Sequence, residues 1–220
     1  MTTTDASVPK PGLRARKKEQ TRRLIADTAR RLFAERGFDA VTVAEVARAA
    51  DVAEKTVFNY FATKEDLFYS GMEAFEDRLL GALRERGPGE TVLAAFRRFL
   101  LQPHGVFAIE GGEEATRRLR TVTRVIRDSP SLVARERQVL ARYTDALAAL
   151  LAEETGADPG DVEPLVAAHA LLGVHRSLIE YVRRRVADGA TAAEIGPELQ
   201  AQAERALRLL EGGLEGYAAR

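Results

Sequence analysis

The sequence contains no cysteine and no tryptophan, and only 6% of its 220 residues are aromatic. Without cysteine there is no disulfide framework, no thiolate metal site and no cysteine nucleophile, a composition that fits a reducing compartment. No apolar run approaches the ~18–20 residues of a membrane-spanning helix, and residues 1–12 lack the apolar core of a secretory signal. We therefore expect a cytoplasmic protein that does not associate with membranes.

The chain also lacks a net charge, because 33 Lys and Arg balance 33 Asp and Glu. Zero net charge argues at first against a nucleic-acid-binding protein. The distribution reverses that conclusion, since residues 1–64 carry 13 basic and 8 acidic side chains and include all five lysines. The other 156 residues carry 20 basic and 25 acidic side chains. A basic part joined to an acidic part predicts that the N-terminal region binds a polyanion.

Apolar residues recur at helical spacing almost throughout, and no segment alternates with period two for more than a few residues. These patterns predict an all-α protein of about nine helices, one of which follows Thr63 and continues to about Gly87. A helix over about residues 161–188 has a middle part that is apolar almost all round, which indicates packing on two sides, by the core and by a second subunit. The predicted organisation is listed by residue range: 1–16, a disordered basic arm; 17–64, a helix-turn-helix DNA-binding domain; 65–220, a ligand-binding and dimerisation domain.

Two short helices are predicted at about residues 42–50 and 53–61, after a basic first helix. This arrangement is the one in which the second short helix enters the major groove of DNA. On its outer face, Asn59 can pair with adenine, Lys55 can reach guanine, and Thr56 can contact a phosphate or a thymine methyl group. The basic residues between Lys10 and Arg23 are expected to add affinity for phosphates, with a solvated helix face as the alternative.

The segment Thr21–Phe68 resembles the DNA-binding domain of the tetracycline-repressor (TetR) family of bacterial regulators. The agreement in order and spacing extends over close to fifty residues, from Phe33-x-x-x-Gly37-Phe38 through Thr56-Val57-Phe58-x-Tyr60-Phe61 to Lys64-Glu65-x-Leu67. The resemblance implies DNA contacts at Thr42, Val43, Ala44, Lys55, Thr56, Phe58, Asn59, Tyr60 and Lys64.

Three positions depart from the pattern of that family. Asp51 replaces the usual glycine of the turn, and an aspartate holds a left-handed conformation at modest cost. Ala53 replaces a serine that often caps the recognition helix, so this helix is expected to lack a side-chain cap unless Asp51 supplies one. Phe58 replaces a frequent tyrosine and has no hydroxyl for a phosphate. These departures concern individual contacts and leave the expected DNA-binding role in place.

The resemblance implies that the remaining helices form a domain that binds a ligand and dimerises. Residues 116–156 are similar to the C-terminal domain of the mycofactocin-type regulators, which implies an acyl-CoA or another lipophilic compound as effector. The last two long helices, over about residues 161–188 and 191–217, would pack with their two-fold mates as a four-helix bundle.

Polar side chains among apolar neighbours are the candidates for the effector site, because a ligand cavity combines apolar walls with a few orienting groups. The candidates are His104, Phe107, Arg120, Arg124, Tyr143, His169 and Arg176. Their alternatives are core packing for Tyr143, a satisfied core position for His169, and salt-bridged surface positions for the arginines. No metal site is expected, since His169 and His175 lie about 240° apart around one helix. No catalytic constellation or cofactor motif is recognisable, so we expect no enzyme.

These features predict a ligand-responsive transcriptional regulator, most simply a repressor that binds an inverted-repeat DNA operator as a homodimer and is released by a small hydrophobic effector. The alternatives are a transcriptional activator of the same family, a sequence-independent architectural DNA-binding protein, and an enzyme whose small domain merely resembles a regulator.

Overall fold

A computed structural model describes residues 12–70, 73–103, 109 and 111–213 of the chain. Within these residues the secondary structure consists of ten α-helices and no strand, which confirms the predicted all-α fold. The helices are α1 Leu13–Arg36, α2 Val43–Ala49, α3 Glu54–Tyr60, α4 Lys64–Phe68, α5 Glu73–Arg84, α6 Val92–Leu100, α7 Glu113–Arg127, α8 Pro130–Thr155, α9 Glu163–Ala187 and α10 Ala192–Gly212. The chain divides into two compact units, the N-terminal unit up to Ser70 and the C-terminal unit from Gly71.

The long helix expected after Thr63 is two helices in the structure, and this accounts for the tenth helix. Tyr69 ends α4, where its N–H donates to the Glu65 carbonyl oxygen at 3.0 Å. The ring of Phe68 lies 6.3 Å from the Phe33 ring and 6.2 Å from the Phe38 ring. Because α4 packs on α1 in this way, residues 65–70 belong to the N-terminal unit, and the expected boundary after residue 64 was six residues too early.

The first helix begins at Leu13, about four residues earlier than predicted, so residues 13–16 are helical rather than part of a disordered arm. Its first hydrogen bond runs from the N–H of Arg16 to the carbonyl oxygen of Gly12 at 3.1 Å. Arginine and lysine are good helix formers, which favours this longer helix even though the side chains of residues 16–20 are exposed. The rest of the predicted arm, residues 1–11, lies outside the described residues.

The N-terminal unit is built around the inner side of α1. Ile25, Ala29 and Phe33 of this helix are fully buried, and Phe33 and Phe38 pack with their ring centroids 4.9 Å apart. The other helices each supply apolar side chains to the same core, namely Val46 and Ala47 of α2, Val57 of α3 and Leu67 of α4.

The C-terminal unit packs α5 to α10 around a core that includes Tyr143 and Leu147 of α8 and Leu199 of α10. The middle of α9 contributes buried side chains to this core, as the apolar pattern predicted. The start of α9 is different, because Val162 is 68% exposed, Val166 61% and Leu165 41%. One side of α9 therefore packs on the core of the unit, while the other presents apolar surface at the start of the helix.

Candidate DNA-binding surface and effector site

The second helix begins with the capping box that the sequence predicted. The Thr42 hydroxyl accepts a hydrogen bond from the Glu45 N–H, and the Glu45 carboxylate accepts one from the Thr42 N–H at 2.8 Å. The Arg36 guanidinium lies 2.8 Å from the same carboxylate and ties α1 to α2. The Thr42 N–H, followed by Arg36 and the Thr42 hydroxyl, lowers the pKa of the Glu45 carboxyl to about 2. These contacts fix the start of α2.

The turn between α2 and α3 has the geometry that a helix-turn-helix requires. Asp51 has a φ of 54°, and within the described residues it is the only residue other than glycine with a positive φ. The N–H of Val52 donates to the Ala47 carbonyl oxygen at 3.0 Å and closes the turn. Ala53 gives α3 no side-chain cap, as its identity predicted. Asp51 therefore adopts the left-handed conformation that glycine adopts with less strain.

The third helix separates buried from exposed residues along its two sides. Val57 and the following Phe61 are 1% and 3% exposed and hold the helix on the core. Lys55 and Asn59 are exposed on the other side, and Phe58 between them is 49% exposed. The remaining predicted contacts of α3, Thr56 and Tyr60, are half-buried at the edges of this side.

Lys64 begins α4, where Thr63 and Asp66 form a second capping box. Its ammonium group lies 4.2 Å from the centroid of the Phe38 ring, within reach of a cation–π interaction. Burial lowers the pKa of Lys64 from its usual value, while Asp39 and Glu65 oppose that shift. The aromatic support of Lys64 was not apparent from the spacing, because Phe38 precedes it by 26 positions.

The described candidates for the effector site do not lie together. Arg120 and Arg124 line a groove of about 790 Å³ between α7 and the start of α10, where Arg120 donates to the Gly189 carbonyl oxygen at 2.9 Å. Tyr143 is 1% exposed and packs in the core with its ring 5.7 Å from that of Phe75. His169 and Arg176 are exposed on α9. The predicted ligand residues His104 and Phe107 lie outside the described residues.

The buried histidine of α9 is His175 rather than the candidate His169. It is 4% exposed and stacks on the Phe75 ring with the ring centroids 4.6 Å apart. Its position could have been predicted, because it is four residues after Leu171 and three before Leu178, both of which are buried.

A second cavity, of about 590 Å³, was not predicted and is mainly apolar. Leu93, Leu151 and Leu171 line it from α6, α8 and α9, and Leu210 lines it from α10. Sequence reasoning missed it because most of the candidates were histidines and arginines, whereas the polar residues that line this cavity include Asp158 and Asp161.

Within the described part of the chain, no helix is both long and apolar enough to cross a bilayer. No group of three or more His, Asp or Glu side chains within it is arranged to hold a metal ion.

The helix-turn-helix geometry agrees with comparisons with known proteins. The model of the tetR family of bacterial regulatory proteins matches residues 25–70, and that of the MftR C-terminal domain matches residues 90–215, more than half of the chain. MftR of Mycobacterium tuberculosis, described as a regulator of mycofactocin biosynthesis, is 31% identical over 166 residues, which span 76% of this chain and 81% of that protein. The chain belongs to the tetR family. It combines the DNA-binding helix-turn-helix of these transcriptional regulators with an MftR-type C-terminal domain, as the sequence resemblances implied.

Solved structures show the tetR-family fold along most of the chain. NalD of Pseudomonas aeruginosa, the secondary repressor of the MexAB-OprM efflux pump, has 20% identity and a TM-score of 0.52 over 88% of this chain and 96% of its own. FadR of Bacillus subtilis, solved in complex with stearoyl-CoA, has 23% identity and a TM-score of 0.50 over 86% and 96%. The family and these relatives are transcriptional regulators, which confirms the expectation that the chain is not an enzyme.

Proposed function

We propose that the protein is a ligand-responsive transcriptional repressor that binds an inverted-repeat operator as a homodimer. The observation that carries this proposal is the outer side of α3. Lys55, Phe58 and Asn59 are exposed there although the helix is anchored by Val57 on its opposite side. A short, firmly packed helix with such an outer side suits the edges of base pairs in a major groove. Since its target is chromosomal DNA, we expect the protein in the cytoplasm.

Each exposed side chain of α3 has a natural partner in the groove. Asn59 suits a bidentate pair with adenine, Lys55 suits guanine O6 and N7, and Phe58 suits the methyl group of thymine. Residues at the edges of α3 and at the starts of α2 and α4 suit the phosphate backbone, which sets register without reading sequence. These backbone-contacting residues are Thr42, Val43, Ala44, Thr56, Tyr60 and Lys64.

The exposed apolar side of α9 supports a homodimer. Val162, Leu165 and Val166 form continuous apolar surface at the start of this helix. On α10, the exposed side includes small residues such as Ala193 and Ala201, which allow another helix to approach closely. In a two-fold dimer the same surface meets itself, and the two copies of α3 reach major grooves about 34 Å apart.

The two cavities of the C-terminal unit support binding of an effector with an apolar part. The apolar cavity suits a lipophilic compound, whereas the groove with Arg120 and Arg124 suits the phosphates of an acyl-CoA. Ala193 lines the groove and Leu210 lines the apolar cavity. These residues are separated by about 25 Å along α10, at 1.5 Å per residue, so the cavities are distinct sites. The effector binds preferentially to a conformation of the dimer in which the distance between the two α3 helices does not match the operator. This preference lowers the affinity of the dimer for DNA.

Selection from random-sequence duplexes at physiological salt tests the DNA-binding part of this proposal. We expect an inverted repeat to be enriched, and sedimentation to show two chains on each selected duplex. Binding without any enriched sequence would instead identify an architectural DNA-binding protein. A reporter gene behind the selected operator distinguishes repression from activation, since a repressor lowers its expression.

A thermal-shift comparison of stearoyl-CoA with stearyl alcohol tests the effector. If the arginine groove holds the CoA phosphates, the Arg120→Ala/Arg124→Ala variant loses the response to the CoA ester alone. Arg118→Ala/Arg127→Ala is the matched control, because both of its arginines are exposed on α7 and neither lines the groove. Equal responses of the two variants would contradict the assignment of this groove.

A further inference from the structure

The first turns of α1 carry the whole excess of positive charge of the DNA-binding region. Residues 13–23 contain six basic side chains and one acidic side chain, whereas residues 24–64 contain six of each. The helix-turn-helix itself is therefore neutral. The match to the tetR family model begins at residue 25, so the basic turns lie outside the matched residues.

Three of the six basic side chains of these turns lie on one side of the helix, within about 80° of one another. Arg14 precedes Ile25 by eleven residues, and Lys18 precedes Ala29 by eleven, which is three turns plus about 20°. Ile25 and Ala29 are fully buried on the inner side of α1. The side of α1 that packs on the core is thus continued, towards the N-terminus, by a basic stripe of Arg14, Lys18 and Arg22.

Arg22 connects this stripe to the end of α3. Its Nη1 donates to the carbonyl oxygen of Tyr60 at 3.0 Å, and its guanidinium lies 4.7 Å from the centroid of the Phe61 ring. The basic stripe therefore begins beside the recognition helix. Lys18 and Arg14 follow one and two turns further along, about 6 and 12 Å from Arg22 at 1.5 Å per residue.

The ion pairs of α1 leave the stripe out. Within residues 12–70 they involve Arg23, Arg30, Arg31 and Arg36, but neither Arg14 nor Lys18. Both of these side chains are exposed. Arg23 lies about 180° from Arg14 around the helix and pairs with Glu19 at 2.7 Å. The side opposite the stripe thus includes an arginine that already has an acidic partner.

We propose that Arg14 and Lys18 form a second DNA-binding surface, which grips the phosphate backbone next to the base pairs read by α3. Arg22 is the positioning residue that holds this surface against the end of α3. The inference rests on the proposed function, because it requires α3 to face DNA. It assigns most of the electrostatic affinity to a helical extension and leaves the neutral helix-turn-helix to supply specificity.

The test compares two variants that remove the same charge from opposite sides of one helix. Arg14→Ala/Lys18→Ala removes the stripe, and Arg16→Ala/Arg23→Ala is the control. Alanine preserves helix formation, which circular dichroism verifies. Anisotropy titrations of full-length protein on the selected operator and on a random duplex, each at several salt concentrations, give the dissociation constants.

Loss of two phosphate contacts should lower the slope of log affinity against log salt by about 1.8 and weaken binding at 0.15 M salt roughly tenfold or more on both duplexes. The control should lower the slope by less than about 0.5. Equal losses in the two variants, or no loss in either, would overturn the inference. The proposed function stands in either case, provided that the wild-type protein binds the selected operator. A wild-type protein that binds neither duplex would instead overturn the proposed function.

Discussion

The two units use their charged side chains in different ways. In the C-terminal unit arginines join one helix to another, as Arg183 of α9 does with Glu136 of α8 at 2.5 Å and Arg97 of α6 with Glu211 of α10 at 2.6 Å. In the N-terminal unit the ion pairs lie mostly within α1, and the exposed cations include Lys55 of α3. Arginine in the C-terminal unit therefore mainly holds the fold, whereas the cations of the N-terminal unit are available to a partner.

The largest expected effect on stability comes from removing one partner of a buried ion pair in the C-terminal unit. Glu136 is buried, so Glu136→Ala removes the closer of two carboxylates from Arg183 and leaves it with Glu180 at 3.4 Å. We expect a loss of about 3 kcal/mol in the free energy of unfolding, measured by urea denaturation. Glu114→Ala is the control, because Glu114 and its partner Arg117 are 80% and 69% exposed, and it should cost less than about 0.5 kcal/mol. Similar losses in both variants would show that the buried pair between α8 and α9 contributes no more to stability than an exposed pair within one helix.

A substitution on the exposed side of α3 should weaken DNA binding and leave stability almost unchanged. Asn59 is exposed, so Asn59→Ala should leave the free energy of unfolding within about 0.5 kcal/mol of the wild type. We expect it to weaken binding to the selected operator by about 1–3 kcal/mol and to change binding to random DNA little. Lys64→Ala should weaken both, because a phosphate contact does not depend on sequence. Equal losses on both DNAs for Asn59→Ala would contradict its role in reading bases.

The turn offers a smaller effect that concerns stability alone. Asp51 has a φ of 54°, which glycine adopts without strain. We expect Asp51→Gly to raise the free energy of unfolding of the N-terminal unit by about 0.5–1 kcal/mol, and Asp51→Ala to lower it by a similar amount. Differential scanning calorimetry can compare the two. A stabilising alanine would show that the left-handed turn is not a source of strain.

Acid should weaken the N-terminal unit through Glu45. Its pKa is about 2 when folded, below its ordinary value of 4.5, so its contribution is complete above pH 4.5 and is lost as the pH falls towards 2. We expect Glu45→Gln to be less stable than the wild type at pH 6 and to converge with it near pH 2. Unfolding followed at both pH values checks this, and a difference that persists at pH 2 would contradict it.

The contrast between the units also explains what could be predicted from the sequence. The predicted features of the N-terminal unit depend on neighbours in the chain, such as the capping box of Thr42 with Glu45 and the left-handed turn at Asp51. Such short-range patterns are visible without a structure. The end of α4 at Phe68 was missed, because it depends on the packing of that ring against Phe33 and Phe38, far away in sequence.

The cavities of the C-terminal unit depend on contacts between distant helices, so polarity along the sequence does not predict them. His169 and Arg176 stood out among apolar neighbours, yet both are exposed, and Tyr143 belongs to the core. The apolar cavity combines residues from four helices, as Leu93 and Leu210 illustrate, and no spacing along the chain brings these together. Helical phase could have identified the buried His175, but not the cavity.

The claim that α3 reads base pairs is tested most directly by repeating the selection from random DNA with Asn59→Ala beside the wild type. We predict that both proteins enrich an inverted repeat and that the two repeats differ at one symmetric pair of positions, where the wild type prefers adenine and the variant does not. An identical repeat for both proteins, with the adenine preference retained, would contradict it.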